Sequence, residues 1–410
     1  MKKSFLTLFV IVSVFISHAQ NDTKIVLGNI DSIDSKILKE KRKIWVHVPN
    51  NAQNGGLYAP VKYPVVYLLD GDAHFYSVVG MIQQLSSVNG NAICPEMIVV
   101  GIPNTDRTRD LTPTHVDIAA MMDSASARSS GGGEQFTSFI EKEVIPYIEA
   151  NYPALPYRTL IGHSLGGLTV INTLLNHKEL FNSYISIDPS MWWDTRKLLT
   201  KATGLLAQQD YKNKTLFLGI ANTMKPGMDT VLVKKDTTFE TDHIRSILLL
   251  NTILQKNKQN GLAYDYKYYS GDTHGSVPLI ATYDALHAIF GFYNFTLGMD
   301  DYMNFSKKTI SKMEDHFKEV SKHFGFAFPI PEAMTNQLGY LAISQNKMDE
   351  AAYLFNMNVT NYPTSFKVYD SQGDFYAAKG EKAKAIENYE KALGVKEWPE
   401  TRSKLNQLVK

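Results

Sequence analysis

Gly162-His163-Ser164-Leu165-Gly166-Gly167 decides how this chain is read. A short apolar run, Arg158 to Ile161, precedes it and predicts a strand; a second, Leu168 to Leu175, follows and predicts a helix. Strand, Gly-x-Ser-x-Gly and helix together make the setting of a nucleophile elbow, a serine on a tight strand-to-helix turn. Glycines two residues either side of the serine let neighbouring backbone approach without a Cβ clash. The helix N-terminus aims backbone N–H groups at any oxyanion that forms. Ser164 is therefore the candidate nucleophile.

A serine hydroxyl is a weak nucleophile near neutral pH and needs a positioned base. Chains with this elbow bring an acid and then a histidine after the serine. His274 fits, because the strand predicted at Tyr264–Tyr269 is followed by Ser270-Gly271-Asp272-Thr273-His274-Gly275, a loop with glycine on both sides of the ring. His243 and His287 fall inside helical patterns and suit the role less; His163 reads as a packing residue of the elbow. The acid is expected after the strand at Thr215–Ile220. Asp242, at the start of a helical pattern containing Ile244, Ile247 and Leu248, is taken for it. Glu240 and Asp229 stand as alternatives, as does a Ser–His dyad with no third acid, because chain order does not choose among them.

The oxyanion needs two backbone donors. They are assigned to the N–H of Leu165, directly after the serine, and of Asp72, in the loop Asp70-Gly71-Asp72-Ala73-His74-Phe75 that follows the strand ending at Leu69. Acid–Gly–acid beside a strand reads as a turn, and no complete ligand set accompanies it, so no metal is expected. Serine chemistry needs no organic cofactor either. Pro189-Ser190-Met191-Trp192-Trp193-Asp194 follows the next strand, and Trp192 and Trp193 are expected to wall a substrate pocket.

Around this centre, strands are predicted at Lys43–Val48, Val65–Leu69, Met97–Ile102, Arg158–Ile161, Tyr184–Ile187, Thr215–Ile220 and Tyr264–Tyr269. Several are continuous apolar runs, as strands buried on both faces of a parallel sheet are. Helical patterns fall between them, among them Phe136–Ala150, Thr169–Asn176 and His243–Lys256. The alternation predicts an α/β fold with a mostly parallel sheet flanked by helices, and sites in such sheets gather outside the carboxyl ends of strands. The Ser- and Gly-rich stretch Ser124–Gln135 reads as a polar connector.

After Tyr293 the strand signal stops. Leu338-Gly339, Ala342, Ala351 and Phe355 recur 34 residues later as Gln372-Gly373, Tyr376, Ala385 and Tyr389. Period and pattern resemble tetratricopeptide repeats. The expected organisation is a signal peptide over 1–19, a catalytic domain over 20–300, and a small all-α extension over 301–410 made of a helical linker and two repeats. The repeats offer either a surface for a protein partner or a stabilising cap.

Met1-Lys2-Lys3, an apolar run from Phe5 to Ile16 and Ser17-His18-Ala19 have the form of an export signal, with cleavage expected after Ala19 and a periplasmic or extracellular destination. That apolar run is too short to span a bilayer, and no later one is long enough. Lys plus Arg number 42 and Asp plus Glu 41, with no basic stripe, which argues against a nucleic-acid partner. Cys94 is the only cysteine, so an intramolecular disulfide is excluded.

With these residues assembled, the chain resembles the esterase family of α/β-hydrolases, which includes enterochelin-type siderophore esterases, feruloyl and acetylxylan esterases, esterase D and the mycolyltransferases. The resemblance covers roughly residues 30–295. It rests on Leu68–Asp72, Gly101–Asp110, Gly162–Gly167, Asp188–Trp193 and Asp272–Pro278. It implies an α/β-hydrolase fold and supports Asp72 as an oxyanion donor. It also places Asn104–Asp110 near the mouth of the site, where Arg107 or Arg109 would meet an anionic substrate. The segment Asn222–Thr241 is longer than is usual in the family, and the helical tail is an addition to the simpler members. The expected activity is that of an exported serine carboxylic-ester hydrolase working through an acyl-enzyme. Its substrate would be a siderophore ester or an acyl or feruloyl ester on a polysaccharide. An acyltransferase, or a non-catalytic scaffold that presents the repeats for protein binding, are the alternatives.

Overall fold

A computed structural model describes residues 24–49, 56–118 and 123–410. The expected signal segment, 1–19, lies outside the described residues. One eight-stranded sheet organises the chain, in the order β1-β2-β4-β3-β5-β6-β7-β8. The strands are β1 (Asn29–Ser35), β2 (Glu40–His47), β3 (Tyr63–Leu69), β4 (Ile98–Ile102), β5 (Ala154–His163), β6 (Ser183–Ile187), β7 (Thr215–Ala221) and β8 (Ala263–Tyr269). The β1–β2 and β2–β4 pairs are antiparallel and all the others parallel.

β3 shows why its sequence is an unbroken apolar run. Val65, Tyr67 and Leu69 enter the core on one face of the sheet, while Val66 and Leu68 enter the core on the other. Helices Leu165–Asn176, Trp193–Gln208 and Asp242–Lys256 contribute to the first core, and Gly71–Ser86 and Val277–Phe290 to the second. A strand covered on both faces has no position for a polar side chain, and each large apolar residue buried there stabilises by about 1.5–3 kcal/mol. β1 was not foreseen in the sequence. It is an edge strand in which only Ser35 is buried, and its polar residues interrupt any apolar run: Asp34 is exposed, and Asp31 accepts the Tyr147 and Tyr152 hydroxyls.

The polar stretch 124–135 is helical over Ser124–Ser129, because Asp123 caps it with bonds from the N–H groups of Ala125 and Ser126. A further helix begins at Gly133. Both replace the expected connector.

Beyond Tyr293 the described chain is all-α. Helix Lys307–Phe324 is followed by two hairpins, Glu332–Ser344 with Met348–Asn361 and Phe366–Ala378 with Lys382–Val395, and then by Pro399–Val409. Phe317, Val320 and Phe324 join the same apolar cluster as Ile161, Ile185 and Phe217 of the sheet, so the helical segment seals one face of it. None of the described helices is long and apolar enough to cross a membrane.

Candidate active site

β3, β5 and β6 lie side by side, and each is followed directly by a non-glycine residue with positive φ: Asp70 (52°), Ser164 (58°) and Asp188 (42°). Such backbone costs of order 1–3 kcal/mol per residue and persists only where the surroundings impose it. At Ser164 the surroundings are tight. The Ser164 N–H donates to the Ile187 carbonyl (3.0 Å), and the Ser164 carbonyl accepts from Ser190 N–H (3.0 Å) and Leu168 N–H (3.0 Å). A Cβ on Gly162 would stand 2.3 Å from the Gly166 carbonyl oxygen, and one on Gly167 3.0 Å from the Ile187 oxygen. Gly162 is therefore required by close approach, and at Gly166 a Cβ would crowd Asp70 Oδ2 at 3.1 Å. Ser164 is half-buried, and its Oγ lies 3.3 Å from Ser190 Oγ.

His274 stands on the loop after β8. That loop is fixed by the Asn222 N–H on the Asp272 carbonyl (2.8 Å), Asn222 Nδ2 on the Ser270 carbonyl (3.0 Å) and Ser276 Oγ on Asp272 Oδ1 (2.9 Å). The His274 ring packs 4.4 Å from that of His163, beside the serine, and its side chain is 41% exposed.

Its Nδ1 lies 2.6 Å from Asp188 Oδ2. Asp188 is fully buried, and its Oδ1 accepts the Ala221 N–H (2.9 Å). Burial alone would raise the Asp188 pKa. Hydrogen bonds from His243 and His274 and the Ala221 N–H outweigh it and hold the carboxyl well below the usual carboxylate range. His163 is pushed the other way, to about 4, by burial and then by the neighbouring His274, and stays neutral near pH 7.

The acid beside His274 is thus Asp188, at the end of β6, and not Asp242. Asp242 pairs with Arg196 and, at 3.5 Å, with Arg245. The other candidates are also engaged elsewhere: Glu240 with Lys225, and Asp229 with the N–H groups of Val231 and Leu232. In the sequence, Asp188 stands out only as the start of the tryptophan-bearing stretch. An aspartate that ends a buried strand beside the elbow was the signal available.

Leu165 opens the helix after the serine, ahead of its first bond from Leu168 N–H to the Ser164 carbonyl. Asp72 lies in the first turn of Gly71–Ser86, ahead of the bonds from Ala73 and His74 N–H to the Asp70 carbonyl (3.0 and 3.1 Å). N–H groups at such positions have no intrahelical acceptor.

Arg107 grips Asp70 through Nε (2.6 Å) and Nη2 (2.9 Å), and Nη2 reaches the His163 carbonyl (3.3 Å). Its guanidinium braces β3 against the elbow instead of being held free for an anionic substrate. Arg109 pairs with Glu40 and Asp110. Trp193 does not wall the site. It is 2% exposed, donates Nε1–H to the Thr114 carbonyl (3.1 Å), and borders a separate cavity of about 320 Å³ with Asn172 and His177. Trp192 is half-buried, its ring 5.8 Å from Trp193. A larger cavity, about 600 Å³, lies at the other end of the sheet against the helical segment, lined by Tyr63, Leu155, Tyr293 and Phe328 and by none of these catalytic candidates.

A family model described as "Putative esterase" matches residues 35–275. An IroE-like serine hydrolase from Shewanella oneidensis is 30% identical, with a TM-score of 0.66 over 81% of this chain and 98% of that one. The ferri-bacillibactin esterase BesA of Bacillus subtilis is 28% identical over 232 residues, 53% of this chain and 75% of that protein. A siderophore enterobactin esterase of Emericella nidulans is 32% identical over 149 residues, 33% of this chain. The match spans about half (49%) of the fungal protein's length. The family model covers more than half of the chain, which therefore belongs to the esterase family that this model describes.

Proposed function

We propose that this protein is a serine carboxylic-ester hydrolase and that its substrate is a siderophore ester. Ser164 Oγ attacks the ester carbonyl while His274 Nε2 takes the hydroxyl proton. Asp188 holds Nδ1 and stabilises the imidazolium that forms. The N–H groups of Leu165 and Asp72 receive the oxyanion. His274 then gives its proton to the leaving alkoxide, and the acyl group stays on Ser164 as an ester. Water, deprotonated by the same ring, attacks that ester, and the carboxylic acid leaves as Ser164 regains its proton.

The observation that carries the reading is the His274 ring braced at 2.6 Å on the buried Asp188 beside the strained Ser164 elbow. The siderophore class is supported by the names of the relatives and by the exposure of His274, which suits a bulky ester approaching from solvent. Export to the periplasm or beyond rests on the Lys-Lys and apolar opening of the chain.

The test is hydrolysis of p-nitrophenyl butyrate and of a catecholate siderophore triester by wild type, Ser164→Ala and His274→Ala. We expect wild type to open the triester, and each variant to lose roughly 10⁴-fold or more in kcat/KM on both substrates. Undiminished turnover in Ser164→Ala, or folded wild type inert to both esters, would overturn the reading.

A further inference from the structure

We infer that His243 is a positioning residue of this site: a second ring N–H that fixes the Asp188 carboxylate so that one oxygen serves both histidines. The inference rests on the serine-esterase reading above. His243 stands in the first turn of helix Asp242–Lys256 and is 7% exposed. Its Nε2 lies 2.8 Å from Asp188 Oδ2, the same atom that His274 Nδ1 approaches at 2.6 Å. The two rings meet edge to face, 5.0 Å apart at 90°. With the Ala221 N–H on Oδ1, the carboxylate is held by donors from the end of β7, from the His274 loop and from the His243 helix. An ionised carboxylate only accepts, so His243 Nε2 carries hydrogen.

The other ring nitrogen of His243, Nδ1, is buried with no hydrogen-bond partner. The contact with Asp188 is therefore the hydrogen bond that the His243 ring makes. The ionisable groups around the pair are His163 against His274, His74 and the Asp70–Arg107 pair beyond it, and Asp242 with Arg196 next to His243. Among the described residues, His274 and His243 are the side chains that hydrogen-bond to the Asp188 carboxylate.

His243→Leu removes the donor, and His243→Gln puts an amide N–H near the place of Nε2. We expect the leucine variant to lose roughly 10- to 100-fold in kcat at little-changed KM. Glutamine should recover most of the rate. A leucine variant with wild-type kcat, one whose loss lies in KM instead, or a glutamine variant as impaired as leucine, would overturn the inference. Histidine ring N–H spectra of Ser164→Ala need no turnover. Two strongly deshielded protons, one from each ring, are expected, and a single one would count against the shared oxygen. If folded wild type hydrolyses no ester, the function fails while these spectra still decide the role of His243.

Discussion

At the scale of the residue, Asp188 and Asp242 divide the roles that one acid was expected to hold. Asp188→Ala should cost roughly 10³- to 10⁴-fold in kcat, as losing the orienting acid does in such triads. Asp242→Ala breaks a half-exposed pair with Arg196, which is worth about 0–1 kcal/mol. It should leave kcat within about threefold of wild type and the melting temperature nearly unchanged. Steady-state kinetics and thermal melts on both variants check this. Asp188 also carries a pH signature. Its carboxyl is depressed in the fold, so the stability it contributes is present above the unfolded carboxylate pKa of about 4 and is lost as pH falls through the folded value. Glu40, lowered to about 2 chiefly by its bond from Arg109, acts with the same sign, damped by its exposure. Urea melts should therefore show stability falling from about pH 4 downward, and the fall should shrink in Asp188→Ala. The elbow at Ser164 and the loop that carries His274 after β8 were legible because the first is a motif and the second has a fixed place in the chain. Asp188 was not, because chain order pointed past β7 while the acid stands at the end of β6. The order rule came within one residue of His243, but there successive side chains on one helix turn apart, Asp242 toward Arg196 and His243 toward Asp188.

At the scale of the element, close approach of backbones explains the glycines that pattern alone could only mark. Gly162→Ala places a methyl group 2.3 Å from the Gly166 carbonyl oxygen, where only a backbone shift can make room. It should destabilise by about 3 kcal/mol or more and disable the elbow, read by chemical denaturation and esterase assay together. A variant with wild-type stability would show that the elbow is looser than described. The strands of the central sheet were legible to within a few residues, since a strand buried on both faces has one readable signature. β1 was not, because an edge strand with a single buried residue lacks it. In the tail, the repeat spacing was visible and its physical cause is packing. A Cβ on Gly339 would come 2.7 Å from the Phe355 ring, and one on Gly373 2.5 Å from the Tyr389 ring. In each hairpin a glycine of the first helix gives room to an aromatic of the second.

At the scale of the whole molecule, the helical segment shares a core with the sheet. Phe305, Ile310, Met313, Phe317, Val320 and Phe324 belong to the cluster that holds Val66, Leu68 and Ile161. A chain ending at Thr296 would bare that face, and losing each large buried side chain costs about 2–5 kcal/mol. We expect such a truncation to aggregate or to melt far below the full chain. A soluble truncated form with the full chain's melting temperature would show instead that the tail is a separable module. The sequence marked where strands cease and helices begin; that the two parts share one core depends on contacts between residues far apart in the chain, which no local pattern encodes.

The central claim is that Ser164 is activated by a His274 that Asp188 orients, and covalent labelling by a fluorophosphonate tests it most directly. The account predicts a single adduct on Ser164 by peptide mass spectrometry. Labelling should be absent in Ser164→Ala, slowed roughly 100-fold or more in His274→Ala and Asp188→Ala, and of wild-type rate in Asp242→Ala. Folded wild type that takes no label, or a labelling rate indifferent to Asp188 and lost with Asp242, would contradict it.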